Sequence, residues 1–316
     1  MKKRLRQLSS ILVLGLLFTV FVSAQNEYKR TQEPRYSPDG KLIIFSATIS
    51  KSTGDLSKGI ALMNADGTNV RTITPNVQNI FDLSPSISPN GSKIVFIRQS
   101  GGNKKDLFII NSDGSGLKQL TDSPEAEMNP EFTNDGKNVL FVRRSDSVMF
   151  GPLINGALIS LNLETGKEQT ILGKEFQVIQ GFSAPRGLFL VLLGKLDDNQ
   201  KPLPIKDNGT MITVVAPDGT INPNGAIALS ANAKFVSQIR VSYNSGLTII
   251  ALGNSGIAEY FSYLITSKGV EKLASPSGID YHLSPDASKV ISWDYGSSVY
   301  VKGIKEDRGV TIGPQK

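Results

Sequence analysis

At 316 residues with no cysteine, one histidine and a formal charge of +6, the chain excludes several chemistries at once. Disulfides, thiolate metal sites, cysteine nucleophiles and the lipid-modified cysteine of a bacterial lipoprotein are all ruled out. The charge sits at the start: without Lys2, Lys3, Arg4 and Arg6 the balance falls to +2, and no basic stripe with interleaved aromatics follows, so no nucleic-acid partner is expected.

Those four basic residues precede an apolar run from Ile11 to Val22 and a small-residue cleavage site, Val22-Ser23-Ala24, which together predict a cleavable signal peptide over 1–24. The run is well short of the ~20 apolar residues that a membrane-spanning helix needs, and no transmembrane segment is expected after cleavage. The expected location is the bacterial periplasm or the exterior.

From residue 34 onward the chain repeats itself. Pro34-Arg35-Tyr36-Ser37-Pro38-Asp39-Gly40 runs on to Phe45, Pro85-Ser86-Ile87-Ser88-Pro89-Asn90-Gly91 to Phe96, and Pro130-Glu131-Phe132-Thr133-Asn134-Asp135-Gly136 to Phe141. Looser copies stand at Phe182-Ser183-Ala184-Pro185-Arg186-Gly187, Val241-Ser242-Tyr243-Asn244-Ser245-Gly246 and Leu283-Ser284-Pro285-Asp286-Ala287-Ser288. The Ser or Thr of the motif therefore recurs at 37, 88, 133, 183, 242 and 284, a period in the range of propeller blades. A second turn motif lies between copies, at Asn64-Ala65-Asp66-Gly67-Thr68, Asn111-Ser112-Asp113-Gly114-Ser115 and Asn162-Leu163-Glu164-Thr165-Gly166, with weaker forms at Ala216 to Gly219 and Ser267 to Gly269.

Proline presets φ and glycine tolerates positive φ, so both motifs are turns, and the apolar runs they bracket are strands. The unit is a four-stranded antiparallel sheet, with strands in the first repeat at Arg35 to Ser37, Lys41 to Ala47, Gly59 to Asn64 and Val70 to Thr74. One such unit cannot bury both faces, so the expected fold is all-β: a six-bladed β-propeller over 25–316, with blades starting near 34, 85, 130, 180, 239 and 281. The stretch from Gln25 to Glu33 supplies either a closing strand or a tail.

Strand alternation adds a test of register. The residue before each motif Ser or Thr is Tyr36, Ile87, Phe132, Phe182, Val241 or Leu283, apolar in every copy, and is expected to pack between blades. One position earlier stand Arg35, Ser86, Glu131, Gly181, Arg240 and His282, which include no large apolar side chain and are expected to look elsewhere.

The P-x-aromatic-S-P-D-G-K-x-I-x-F pattern followed by a D-G-T turn resembles the propeller repeat of TolB and TolB-like periplasmic proteins. The resemblance implies a six-bladed propeller in the bacterial envelope, and its best-known member binds a peptidoglycan-associated lipoprotein through that propeller. The present chain departs from that member, which carries an α/β domain before the propeller. The same repeat also decorates peptidases of the prolyl oligopeptidase type and sugar lyases.

No G-x-S-x-G elbow occurs, and the repeats leave no span for an α/β-hydrolase domain, so no enzyme of that kind is expected. His282 alone would have to serve any Ser-His-Asp arrangement or histidine metal site. The Asp-Gly pairs at 39, 66, 113, 135 and 218 lack EF-hand spacing and read as turns. Asp197-Asp198-Asn199 is a weak cation candidate, and neither metal nor cofactor is expected.

Counting strands puts both tight turns on one face and the longer connections on the other: 48–58, 99–105, 144–155 and 194–209 within blades, 76–83 and 122–129 between them. Those connections carry Lys51, Lys58, Lys104, Lys105, Arg143, Arg144, Lys195 and Lys201 beside Phe81, Met149 and Phe150. The expected function is a non-enzymatic binding or scaffold protein. It engages an envelope protein partner, a peptidoglycan-associated lipoprotein on the resemblance, through this loop face and a channel mouth ringed by Arg35, Glu131, Arg240 and His282. The alternative is a lyase or hydrolase acting on a carbohydrate or peptide in the channel through Glu131, Arg240 and His282. A propeller that only scaffolds, with no ligand of its own, is the third reading.

Overall fold

The motif turns close as their residue types dictate. In the computed structural model Ser37 Oγ bonds Asp39 Oδ1 at 2.6 Å and accepts the Leu42 amide at 2.9 Å, while Asp39 Oδ1 accepts the Lys41 amide at 3.1 Å. Gly40 takes the left-handed φ of +70° that this turn needs. Ser88 with Asn90, Thr133 with Asp135 and Ser284 with Asp286 repeat the arrangement. In the second motif Asp66 Oδ1 accepts the Thr68 amide at 2.9 Å, and Asp113 and Asp218 accept the amides of Ser115 and Thr220 in the same way. Turn chemistry is thus what these Asp-Gly pairs perform.

The structure describes residues 28–50, 56–75, 77–102, 104–145, 156–199, 201–203, 209–222, 236–242, 248–254, 260–266, 269–273, 280–293, 299–303 and 310–312. The expected leader, the turn of the fifth repeat at Asn244 to Gly246, and Lys51, Met149 and Phe150 lie outside them.

Between the turns run short antiparallel meanders, in six consecutive groups among the described residues. The first comprises β1 (Tyr28–Tyr36), β2 (Leu42–Ser50), β3 (Leu56–Asn64) and β4 (Arg71–Thr72). The second comprises β5 (Ile80–Ile87), β6 (Lys93–Ser100), β7 (Lys105–Asn111) and β8 (Lys118–Gln119). The third holds β9 (Ala126–Phe132), β10 (Asn138–Arg144), β11 (Gly156–Asn162) and β12 (Glu168–Leu172). The fourth holds β13 (Gln180–Ser183), β14 (Phe189–Gly194) and β15 (Thr210–Val215), with Ile221 bridging Val215 where a fourth strand would lie. The fifth is β16 (Val236–Ser242), β17 (Thr248–Asn254), β18 (Tyr260–Thr266) and β19 (Gly269–Leu273). The last is β20 (Asp280–Leu283), β21 (Lys289–Trp293), β22 (Val299–Gly303) and β23 (Val310–Ile312). Among the described residues helix is confined to two 3₁₀ turns, Lys174–Phe176 and Pro185–Gly187.

The groups are arranged radially, in a propeller-like all-β fold. Each first strand contacts the next, β1 with β5, β5 with β9, β9 with β13, β13 with β16 and β16 with β20, and β20 returns to β1. Residues 28–33, expected as a closing strand or a tail, instead lengthen β1, so they pair with β2 inside the first group. A single parallel bridge, Lys58 to Phe81, joins the first two groups.

The core follows the period of two. Ile43, Phe45 and Ala47 pack with Ile291 of the last group, whereas Ile44 turns the other way and packs with Ile87, Ile94 and Phe96 of the second. Val139 and Phe141 meet the second group and Leu140 and Val142 the fourth. Every strand buried on both faces therefore reads as a continuous apolar run, which is why Leu42-Ile43-Ile44-Phe45 shows no polar alternation. Tyr36, Ile87, Phe132, Phe182 and Leu283 are all buried at the inner ends of these layers, and Val241 is partly so.

One motif position is strained. Ala287 occupies the place of Gly40, Gly91 and Gly136 with φ +54°. A Cβ is disfavoured in that region, so Ala287→Gly is expected to stabilise the chain by about 0.5–1 kcal/mol in urea unfolding, against the usual cost of adding a glycine.

Candidate functional site

The first strands end at the motif turns, and there they enclose a cavity of about 360 Å³. Pro38, Pro89 and Pro285 of the turns stand at its mouth, Ile87, Phe132 and Leu283 form walls, and Arg35, Ser86, Glu131 and His282 supply the polar surface. It lies on the face of the tight turns, not on the loop face where the chain's connections led us to expect a site. The reason is that the residue before the motif's apolar position turns toward the axis just where the strand stops, and the turn proline then rims the opening.

Three of the four channel-mouth residues meet here. The Arg35 guanidinium, 5% exposed, ion-pairs Glu131 from two groups away, and Ser86 Oγ bonds the other Glu131 oxygen at 3.0 Å. His282 Nδ1 accepts the Tyr36 amide at 3.3 Å. Arg240 enters by the backbone alone, on β16 opposite Ile250 of β17. Arg35 Nε is buried without a hydrogen-bond partner, so the pair is not fully satisfied. Burial pushes the Tyr36 hydroxyl up to about 12, helped by the charge of Asp286.

Sequence patterning missed how the strands reach this geometry. Glu33, Ser84 and Asn129 each precede a motif proline, sit at φ +50° to +53°, and coincide with a register shift in their strand. Proline cannot donate to a ladder, and the bulge removes the need. The bulged side chains also bridge outward: Glu33 accepts the Ser84 amide and its hydroxyl, and Asn129 Nδ2 donates to Ile179 O at 2.9 Å. The readable signal was the non-glycine residue before the motif Pro in each of the three close copies.

Two of the basic residues assigned to the loop face, Arg143 and Lys104, are held in ion pairs, as is Arg98 beside them. Arg143 lies within β10, bonding buried Glu127 at 3.0 Å and holding Glu168 at 2.7 and 2.9 Å. Arg98, on β6, grips buried Asp82 at 2.7 and 2.9 Å and covers the rings of Phe96 and Phe108. Lys104 pairs with Asp106 and Asp122. Lys105 and Arg144 are buried strand residues, and burial followed by the Arg144 charge lowers the Lys105 pKa. Burial raises the carboxyls of Asp82 and Glu127 despite their arginines. Asp197, the weak cation candidate, accepts the amides of Asn199 and Lys201 in its own turn.

The family described as the TolB beta propeller domain matches residues 9–222. The Tol-Pal system protein TolB of Nitratidesulfovibrio vulgaris is 29% identical over 80 residues, 23% of this chain and 18% of that protein. The chain spans at most two-fifths of the length of the curated relatives considered. Among solved structures, a TolB of Agrobacterium tumefaciens superposes with a TM-score of 0.59 at 14% identity, covering 87% of this chain and 90% of that one. The oligogalacturonate lyase of Vibrio parahaemolyticus gives 0.51 at 12% identity, covering 91% and 78%. At these identities the structural likeness concerns the fold alone. No helix among the described residues is long and apolar enough to cross a membrane.

Two predictions come from this site. The Ser284 hydroxyl, then that of Ser288, holds the Asp286 carboxyl down at about 2, and the Ser37 and Thr133 hydroxyls lower Asp39 and Asp135. Their folded pKa values lie below the unfolded ones, so their contribution is present above about pH 4 and lost as pH falls toward 2. Asn90 shows that an amide fills the same role without titrating. The triple variant D39N/D135N/D286N should therefore unfold in urea with a shallower pH dependence between 4 and 2 than the parent; equal slopes would refute this. For the buried pair, Glu131→Gln should cost about 3 kcal/mol by stranding Arg35, whereas Arg35→Met with Glu131→Leu should return to within about 1 kcal/mol of the parent.

Proposed function

The chain belongs to the TolB β-propeller domain family, and on that premise we propose that it is a six-bladed propeller of the bacterial envelope that works by binding a protein partner at the turn-face cavity. The cyclic contacts of the six first strands support the blade number. The leader, with its basic start and apolar run, supports export to the periplasm. The partner proposed is an envelope protein, a peptidoglycan-associated lipoprotein, in keeping with relatives named for the Tol-Pal system.

The observation that carries a binding role is how Glu131 is used. It is the single carboxylate among the described residues lining the cavity, and both its oxygens are engaged, by Arg35 and by Ser86. Hydrolysis of a glycosidic bond asks for two carboxylates about 5–10 Å apart, one of them free to exchange a proton. His282 is likewise committed through Nδ1 to a backbone amide. What remains is a near-neutral polar floor inside a rim of pyrrolidine rings and apolar walls, which suits the tip of a protein loop: apolar contact gives area and the paired floor gives orientation.

The test uses the double variant Arg35→Met, Glu131→Leu, chosen because the apolar replacement keeps the fold. Calorimetric titration with the periplasmic domain of the host's peptidoglycan-associated lipoprotein should show binding to the parent and at least about tenfold weaker binding to the variant, the loss expected of a central polar contact. Equal affinity for both would remove the cavity from the reading. Failure of the parent to bind, together with cleavage of oligogalacturonate, would favour the carbohydrate-lyase alternative.

A further inference from the structure

Four copies of the motif put a polar side chain into the cavity, always five residues before the left-handed residue of the turn. Counting back from Gly40, Gly91, Gly136 and Ala287 gives Arg35, Ser86, Glu131 and His282. The fourth copy has one residue more between its serine and its glycine, so the count from Gly187 falls on Phe182 and not on Gly181. The fifth has the same spacing in sequence, and the count from Gly246 falls on Val241. Phe182 and Val241 both line the cavity.

Hydrogen bonds and packing in the fourth group agree with this count. The Ala184 amide donates to Leu188 O at 2.7 Å where the Ser37 amide donates to Leu42 O, and Pro185 and Gly187 stand for Pro38 and Gly40. Directly opposed residues of an antiparallel pair share a face. Arg35, Ser86, Glu131 and His282 oppose Ile44, Val95, Leu140 and Ile291, each of which packs with the next group round the circle. Gly181 instead opposes Val191, which packs with the third group, and a Cβ on Gly181 would meet Leu158 Cδ1 of that group at 2.6 Å. Phe182 opposes Leu190 and so turns away from the third group, as Arg35 and its equivalents turn away from the group before theirs.

The cavity therefore has two sides. Arg35, Ser86, Glu131 and His282 come from the first three groups and the last, and Phe182 and Val241 face them from the fourth and fifth. The polar side is paired within itself: Glu131 holds Arg35 and Ser86, and His282 Nδ1 takes the Tyr36 amide. A sugar would bring several hydroxyls, each needing a partner once buried, to polar groups already engaged. An aliphatic side chain needs no such partner, and the Phe182 ring offers it a broad apolar surface. At about 360 Å³ the cavity is more than twice the ~150 Å³ that holds a benzene-sized group, which leaves room for one side chain and its flanking backbone. Resting on the binding role given above, we propose that Phe182, seconded by Val241, sets the specificity of the cavity, and that it selects an aliphatic side chain at the tip of a partner loop.

NMR titration of the isotope-labelled chain with N-acetyl-leucinamide, N-acetyl-serinamide and galacturonate tests this without a protein partner. Leucinamide should shift the Phe182 ring signals saturably, show NOEs from its methyls to that ring, and bind at least about fivefold tighter than either other probe. Phe182→Leu, which keeps an apolar wall, should hold leucinamide within about threefold of the parent. Phe182→Gln should bring leucinamide and serinamide to within about twofold of each other, a loss of preference that a merely loosened fold would not produce. The proposal is overturned if no probe gives a saturable shift, if serinamide or galacturonate binds as tightly as leucinamide, if the methyls make no contact with Phe182, or if the glutamine variant keeps the parent's preference. Should that variant not fold, the parent's three titrations and the NOEs decide alone. Titration with the lipoprotein domain is a separate readout: leucinamide seated on Phe182 without lipoprotein binding discards that partner and keeps the side-chain class, and the reverse result does the opposite.

Discussion

The inner edge of each first strand governs much of this molecule. A first strand pairs along its length with its second strand on one side, and apart from the Phe81–Lys58 bridge its other edge faces the axis, where amides still need partners. Side chains of adjoining groups supply them: Glu33 to the Ser84 amide, Ser183 to the Asn134 amide, Gln180 to the Ile239 amide and His282 to the Tyr36 amide. Among the described residues the circle closes with no exchange of strands between its first and last groups. Tyr28–Tyr36 is the inner strand of the first group and Val310–Ile312 the outer strand of the last, and the seam between those groups holds Tyr36, Ile43, Phe45 and Ile291 with the bond from the Tyr36 amide to His282.

The same edge explains where charge is found. Away from the turns, the first strands carry Asp82 and Glu127, side chains with no exposure, and the second strands answer them with Arg98 and Arg143 stacked on phenylalanines. Charges so placed must be paired, and pairing engages Arg143 of the loop face together with Arg98. Toward the turns, the Arg35–Glu131 pair performs a similar neutralisation at the cavity floor.

Local chemistry was the legible part of the sequence. The Ser-Pro-Asp-Gly and Asp-Gly-Thr turns, the apolar residue before the motif serine and the continuous apolar second strands are each dictated by φ preference or by burial on both faces, so they could be read residue by residue. Partnership across groups was not legible. Nothing local distinguishes Arg143, bound by two glutamates, from a solvated loop arginine, because Glu127 and Glu168 approach it from two other strands. The face of the cavity was misjudged for a related reason: counting strands shows where loops are long, but the wall comes from where strands stop, and the bulges before Pro34, Pro85 and Pro130 set that. A common position in the repeat did bring Arg35, Glu131 and His282 together, since radial repetition places equivalent residues around one axis.

Degeneracy of the repeat then acquires a structural meaning. Perfect copies would surround the axis with identical turns and present a symmetric mouth, which could hold a ligand in several equivalent orientations. Here proline rims the cavity at 38, 89 and 285, whereas Asn134 and Ser183 interrupt the rim, tied to each other by the bond from the Asn134 amide to Ser183 Oγ at 3.0 Å. The floor is equally lopsided, with Arg35, Ser86 and Glu131 clustered from the first three groups and His282 at the seam. Substitutions that leave the turn and its apolar neighbour intact cost the fold little, because those two features carry the local structure. The same substitutions break the symmetry of the opening, and under the binding role proposed above an asymmetric opening would let a single partner be held in a single orientation.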